Sequence, residues 1–163
     1  KQKDLLLKQL DLAKELNLPL IFHCRMAYNA LLEILALHVS SYLPAPATPK
    51  ALQAGKLQGV VHCFAGNLEQ AQKFLQDGLY LGFNGIIFKK IEGIDFKEVI
   101  RNTPLNRILL ETDCPYLTPP QVEGRNDPLN LKYIAEYIAE IKNVGFEKIA
   151  EETTKNAREL FRI

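Results

Sequence analysis

The stretch GVVHCF at residues 59–64 is a short apolar run that ends in a histidine and a cysteine. PLIFHC at residues 19–24 repeats the pattern, and RILLETDCP at residues 107–115 carries a third apolar run into Asp113. A buried strand without a further task would continue with Val or Ile, which suit a pleated surface. Three separate runs therefore end on residue types that commonly serve as metal ligands.

Amphipathic helical segments alternate with these runs, because apolar residues between them recur at spacings of three and four. Near-continuous apolar strands separated by such helices predict an α/β fold with a parallel sheet. The proline-containing residues 40–55 are predicted to form a loop, and residues 1–163 a single domain. The predicted helices cover residues 2–16, 26–39, 67–77, 94–102, 127–142 and the C-terminal segment, and a further strand is predicted near 79–85. Asn67 and Gln70 are predicted to form a capping pair at the start of helix 67–77. Helical spacing also predicts buried faces for the first and last helices, formed by Leu6, Leu7, Leu10, Ala13 and Leu16 and by Ala157, Leu160 and Phe161.

The composition is that of an ordinary globular chain, with 47% apolar and 24% charged residues. The 20 Lys and Arg nearly balance the 19 Asp and Glu, so no overall field attracts a polyanion or an acidic membrane. Three cysteines and the lack of a signal-peptide core predict a cytoplasmic protein with reduced thiols. Since the only methionine is Met26, we expect an N-terminal portion to precede Lys1.

The carboxyl ends of parallel strands meet at one edge of a sheet, where ligands usually bind. His23, His62 and Asp113 are all predicted to lie there. Side chains alternate along a strand, so Glu111 shares the face of Asp113. Cys24 and Cys63 point the other way and are predicted to be small core residues.

Two imidazoles and one carboxylate form a ligand set that suits zinc or manganese and accepts magnesium less readily. Three ligands make an incomplete site, and each histidine can alternatively be a half-buried ring bonded to a backbone carbonyl. Asp113 can alternatively cap its turn. Glu111, deeper in the strand, is costly if charged and unpaired, so we expect it to bond to a neighbouring ligand or an arginine. His38 is predicted to be a partly exposed helix residue.

The sequence contains four further motifs, LPLIFHCRMA, GVVHCFAGNLEQAQKFLQDGLYLGFNG, ILLETDCPYLTPP with RNDP, and IAEETTKNARELF. Together they resemble the TatD family of metal-dependent deoxyribonucleases. The resemblance implies a (β/α)₈ barrel of the amidohydrolase type, of which this chain would supply only the C-terminal portion, its last four β/α units. The first-strand His-x-His pair and the fourth-strand bridging glutamate of the family are absent from these 163 residues.

The resemblance also implies roles for particular residues. His23 and His62 resemble the paired imidazole ligands of one divalent ion, whether zinc, manganese or magnesium. Asp113 resembles the aspartate that holds a second ion and takes the proton from the attacking water. Three further residues, Arg25, Arg125 and Asn126, are expected near the substrate phosphate, since arginine binds phosphate through parallel hydrogen bonds.

The function expected on this basis is metal-dependent hydrolysis of a phosphodiester, with single-stranded DNA ends as substrate. Phe64, Phe83 and Tyr116 offer a stacking face for a base, or are core aromatics. Two alternatives remain open: hydrolysis of another ester or amide, such as a mis-charged aminoacyl-tRNA, and a non-catalytic half-barrel fragment. Because ligands are missing and barrel edges are open, we expect the chain alone to be weakly active or inactive and to self-associate.

Overall fold

The computed structural model of the chain describes residues 1–40 and 57–163, and the described strands form one sheet. The strands pair in chain order and every neighbouring pair is parallel. The predicted α/β fold with a parallel sheet is therefore confirmed, whereas most of the predicted proline-containing loop lies outside the described residues. The strands are β1 (Leu20–His23), β2 (Gly59–His62), β3 (Tyr80–Phe83) and β4 (Ile108–Leu110).

Six α-helices accompany these strands in the described part of the chain. The predicted capping pair is present, since the Asn67 side chain accepts from the Gln70 N–H at 2.9 Å and the Gln70 side chain accepts from the Asn67 N–H at 3.1 Å. Within residues 1–40 and 57–163, no helix is long and apolar enough to cross a membrane. The helices are α1 (Gln2–Glu15), α2 (Tyr28–Ser40), α3 (Leu68–Gln76), α4 (Phe96–Asn102), α5 (Leu131–Lys142) and α6 (Phe146–Phe161).

The main core fills the space between one face of the sheet and the helices. Tyr28, at the start of α2, packs its ring against Phe64 and Phe74, with centroids 5.2 and 5.8 Å away. Its hydroxyl accepts a 2.9 Å hydrogen bond from the backbone N–H of Ala65. Burial raises the pKa of Tyr28 to about 12, so the phenol stays neutral. Tyr28 thus joins the loops that follow β1 and β2.

The opposite face of the sheet is only partly covered. Val60, Tyr80 and Leu109 pack against Leu160 of α6, which confirms part of the buried face predicted for the last helix. Beside this cluster lies an apolar cavity of about 510 Å³ between the sheet and α6, hereafter the trough. Ile21 lines the trough from the edge strand β1 and is 62% exposed.

Two predictions about helix faces are wrong. His38 is buried, because it lies on the side of α2 that faces α1. Its imidazole Nε2 is 3.8 Å from Oδ1 of Asp11 on α1. On α1, Leu10 is buried as predicted, but Leu7 and Leu16 are exposed. The reason is that α1 contacts the described part of the fold along one narrow face, so that leucines farther around the helix are left uncovered.

Asn156 anchors α6 to the sheet, and its loss is expected to destabilise the fold. Its buried side-chain amide donates to the carbonyls of Leu105 and Ile108, both at 2.8 Å. In Asn156→Ala these acceptors lose their partner, so we expect a loss of about 1–3 kcal/mol in the free energy of unfolding, measured by urea denaturation. The exposed neighbour Lys155→Ala should change it by about 0.5 kcal/mol or less. Equal effects of the two substitutions on the free energy of unfolding would show that Asn156 does not anchor α6 to the sheet.

Candidate metal site

The pairing of β1 with β2 brings two histidines side by side at the carboxyl edge of the sheet. His23 and His62 are register partners and the last residues of their strands. Their ring centroids are 5.6 Å apart and the ring planes are inclined by 35°. His23 is exposed, whereas the His62 side chain is 22% exposed. The predicted juxtaposition of the two imidazoles is therefore present.

Glu111 holds the imidazole of His62 from behind. Its Oε2 lies 2.8 Å from His62 Nδ1 and also accepts a 2.9 Å hydrogen bond from the backbone N–H of Cys63. Burial raises the pKa of Glu111, an effect that these two donors partly offset. Because Oε2 already accepts from Cys63, the proton of this contact is assigned to Nδ1 of His62. The expected bond from Glu111 to a neighbouring ligand is present, without an arginine.

Gly82 makes this contact sterically possible. Glu111 follows β4 and His62 ends β2, so the carboxylate has to pass over β3, which lies between them. A Cβ at Gly82 would lie 2.1 Å from Glu111 Oε1 and 2.4 Å from its Cδ. The missing side chain of Gly82 is therefore the space that the Glu111 carboxylate occupies. We did not identify this residue from the sequence, although a glycine inside a strand often marks such a close approach.

Asp113 faces the other nitrogen of His62. Its Oδ1 lies 3.3 Å from His62 Nε2, and its backbone adopts a left-handed conformation with φ of 58°. With the proton on Nδ1, a neutral His62 presents a lone pair at Nε2 toward a carboxylate oxygen. Two lone pairs at this distance repel each other unless a proton or a cation lies between them.

The spacing of these two atoms fits neighbouring ligands of one metal ion. Ligands about 2.0–2.1 Å from a tetrahedral zinc ion are about 3.3 Å from each other. The Nε2–Oδ1 distance of His62 and Asp113 has this value. In the described part of the chain, however, no three His, Cys, Asp or Glu side chains are grouped closely enough to hold an ion. The residues present thus fit part of a metal site, with His23 beside it.

The residues predicted to contact a substrate phosphate have different environments. Arg25 and Arg125 are exposed, whereas Asn126 is buried. The Asn126 amide donates to the carbonyls of Thr112 and Tyr116, both at 2.7 Å. Its side-chain oxygen accepts hydrogen bonds from the backbone N–H of Asp127 and from the side-chain amide of Asn130. Asn126 therefore clamps the loop that carries Asp113, and we assign it a positioning role in place of a direct phosphate contact.

Two of the three aromatic residues predicted as a stacking face belong to the core. Phe64 and Phe83 are fully buried, so they are not available to a base. Phe64 turns toward the helices because Cys63 before it has a φ of 49°, which ends the alternation of the strand. Tyr116 remains, and it is 73% exposed. Cys63 itself is half-buried, and burial raises the pKa of its thiol.

Comparisons with known proteins give similar sequences over nearly the whole chain. The family model described as TatD related DNase matches residues 1–162. The uncharacterized metal-dependent hydrolase YabD of Bacillus subtilis is 42% identical over 99% of this chain and 58% of its own length. The 3'-5' ssDNA/RNA exonuclease TatD of Erwinia billingiae is 34% identical over 95% of this chain and 56% of its own length.

Solved structures show the same fold. The TatD homologue YJJV from Escherichia coli is 29% identical with a TM-score of 0.76, over 95% of this chain and 54% of that one. An uncharacterized amidohydrolase from Saccharomyces cerevisiae is 22% identical with a TM-score of 0.80, over 98% and 59%. The chain therefore spans between half and two thirds of the length of these proteins.

Filling the space above Gly82 is expected to release His62. In Gly82→Ala the new methyl group displaces the Glu111 carboxylate, so the neutral imidazole should lose its preference for the Nδ1–H tautomer. Long-range ¹H–¹⁵N spectra of the neutral ring report the tautomer, and metal affinity should fall about 10- to 100-fold. Gly145→Ala is the matched control, because a Cβ there makes only an ordinary contact at 3.4 Å. An unchanged His62 spectrum in Gly82→Ala would show that Glu111 does not depend on this space.

Proposed function

The chain belongs to the TatD-related DNase family, and from this premise we propose that it carries part of the metal site of a metal-dependent phosphodiester hydrolase. The observation that carries the proposal is the 3.3 Å separation of His62 Nε2 from Asp113 Oδ1, with Glu111 fixing the imidazole from behind. Both atoms lie at the carboxyl edge of a parallel sheet, where the loops that bind substrates are located in this class of fold.

We further propose that residues 1–163 are one unit that forms the C-terminal four β/α units of an eight-stranded barrel. Three observations support this finer assignment. The four strands pair in chain order, the edge residue Ile21 is exposed beside the trough, and the relatives are longer than this chain. The remaining strands would then cover the trough and supply the ligands that the described residues lack.

His23, His62 and Asp113 would hold the divalent ion or ions, with zinc, manganese and magnesium as the candidates. A divalent ion bound there would activate water and neutralise charge on the phosphoryl oxygens. Glu111 keeps His62 oriented with Nε2 toward the site. Asp113 accepts the proton from the water that attacks phosphorus, and Arg25 at the exposed end of β1 pairs with the phosphate.

Single-stranded nucleic acid with a free end is the substrate class that we favour. The formal net charge of +1 provides little attraction for long duplex DNA, whose binding depends on many phosphate contacts. Relatives from Erwinia billingiae and Pantoea are named 3'-5' ssDNA/RNA exonucleases. A cytoplasmic location suits such a substrate and stays a prediction.

Metal binding and hydrolysis test the proposed function directly. We expect the chain to bind Mn²⁺ or Zn²⁺ in calorimetry, and Asp113→Asn to weaken binding at least about tenfold because one anionic ligand is lost. Glu136→Gln removes a carboxylate on the exposed side of α5 and should change nothing. With Mn²⁺ present, labelled single-stranded DNA should be shortened slowly, and Asp113→Asn should abolish this shortening.

The same assays distinguish the alternatives. Hydrolysis of aminoacyl-tRNA but not of DNA would show that the site hydrolyses carboxylic esters in place of phosphodiesters. Neither metal binding nor hydrolysis would identify the chain as a non-catalytic fragment and refute the proposal. Metal binding that is equal in wild type and Asp113→Asn would place the ion elsewhere.

The open edges of the sheet are expected to make the chain self-associate. Within residues 1–40 and 57–163, β1 and β4 have a neighbouring strand on one side only, and an uncovered strand edge pairs readily with another chain. Light scattering after size exclusion should therefore give a mass that rises with concentration. Ile21→Lys places a charge in the trough and should lower that mass, whereas Leu129→Lys, at an exposed site outside the trough lining, should not. A monomer at all concentrations would contradict the expectation.

A further inference from the structure

We propose that Tyr116 and Arg125 form a nucleotide subsite beside Asp113, in which the tyrosine ring stacks on a base and the guanidinium binds the adjoining phosphate. The inference rests on the proposed function and names residues for its substrate contact. The ligand class is single-stranded nucleic acid without strict base preference, since every base offers a face to an aromatic ring.

The Tyr116 side chain is exposed although its backbone is firmly held. Its N–H donates to the carbonyl of Asp113 at 2.9 Å, and its carbonyl accepts from the Asn126 amide at 2.7 Å. The ring itself is 73% exposed, whereas Tyr28 and Tyr80 are 5% and 7% exposed. An aromatic ring presented to solvent from a fixed backbone loses little further freedom when a ligand stacks on it.

The loop brings the backbone of Arg125 close to that of Tyr116. The backbone N–H of Asn126 donates to the carbonyl of Pro115 at 3.2 Å, while its side chain bonds to the carbonyl of Tyr116. The backbone of residues 125–126 therefore runs beside that of residues 115–116. Arg125 is exposed, and it forms no ion pair with any residue in the described ranges. Its guanidinium is thus available to an anion on the same side of the loop.

The turn also fixes where a stacked strand lies relative to the metal site. Tyr116 and Asp113 belong to one hydrogen-bonded turn, and Asp113 faces His62. A terminal base stacked on Tyr116 is therefore held with its sugar–phosphate chain close to the carboxylate that is proposed to accept the proton. The second exposed aromatic ring in the described residues, Phe146, lines the trough on α6 and lies outside this turn.

The test measures binding of a short labelled oligothymidylate in EDTA, where hydrolysis is excluded. Tyr116→Leu should weaken binding about 5- to 100-fold, which is the range for losing one stacked base, whereas Tyr116→Phe keeps the ring and the affinity. Phe146→Leu is the matched control. An abasic strand of equal length should bind Tyr116→Leu and wild type alike, because it keeps phosphates and lacks bases.

Arg125→Ala should weaken binding of both the thymidylate and the abasic strand. The slope of the logarithm of the binding constant against the logarithm of the salt concentration should decrease by the contribution of about one phosphate contact. A terminal 2-aminopurine should be quenched by wild type and Tyr116→Phe but not by Tyr116→Leu, which reports stacking directly. Circular dichroism midpoints verify that the variants are folded.

Equal affinity of Tyr116→Leu and wild type for the thymidylate would overturn the subsite while leaving the metal site of Asp113 untouched. No binding of either strand by wild type would also overturn it. Tyr116-dependent binding without metal-dependent hydrolysis would keep the subsite and refute the proposed function, so the two failures are distinguishable.

Discussion

The hydrogen bond between Glu111 and His62 is the interaction on which the carboxyl edge of this sheet depends. It connects the end of β2 with the residue after β4, and it crosses β3 only because Gly82 has no side chain. A carboxylate this deep is costly when charged, and the Cys63 N–H and the imidazole offset that cost. The same bond decides which nitrogen of His62 faces Asp113, so a contact within the fold sets the chemistry of the site.

Sequence reasoning indicated which side chains meet at this edge of the sheet but not the contacts between them. The ends of the apolar runs placed His23 and His62 at one edge of the sheet, and the unfavourable burial of Glu111 indicated a polar partner. Alternation does not show which side chain crosses a neighbouring strand, so Gly82 was missed. It also fails where the backbone turns left-handed, as at Cys63, which directs Phe64 into the core. Local pattern rules describe regular strands, and the site lies where the strands end.

Burial at the surface of the fold was harder to predict than the elements themselves. The order of strands and helices and the capping box at Asn67 follow from local spacing and local hydrogen bonds. The exposure of Leu16 and the burial of His38 depend on which helices lie alongside, which no local pattern records. For the same reason Asn126 resembled a surface ligand in the sequence and is instead a buried clamp.

The trough and the candidate metal site are two parts of one open region. His62 and Glu111 line the trough together with Ile21, so the partly covered face of the sheet also borders the candidate metal ligand His62. Two ligands at tetrahedral spacing bind an ion weakly until further donors complete the coordination. In the proposed barrel, polypeptide that covers Ile21 along this face would also reach the side of His62 from which such donors have to come. Completion of the core and completion of the metal site are therefore expected to be coupled, so that metal binding contributes to folding stability.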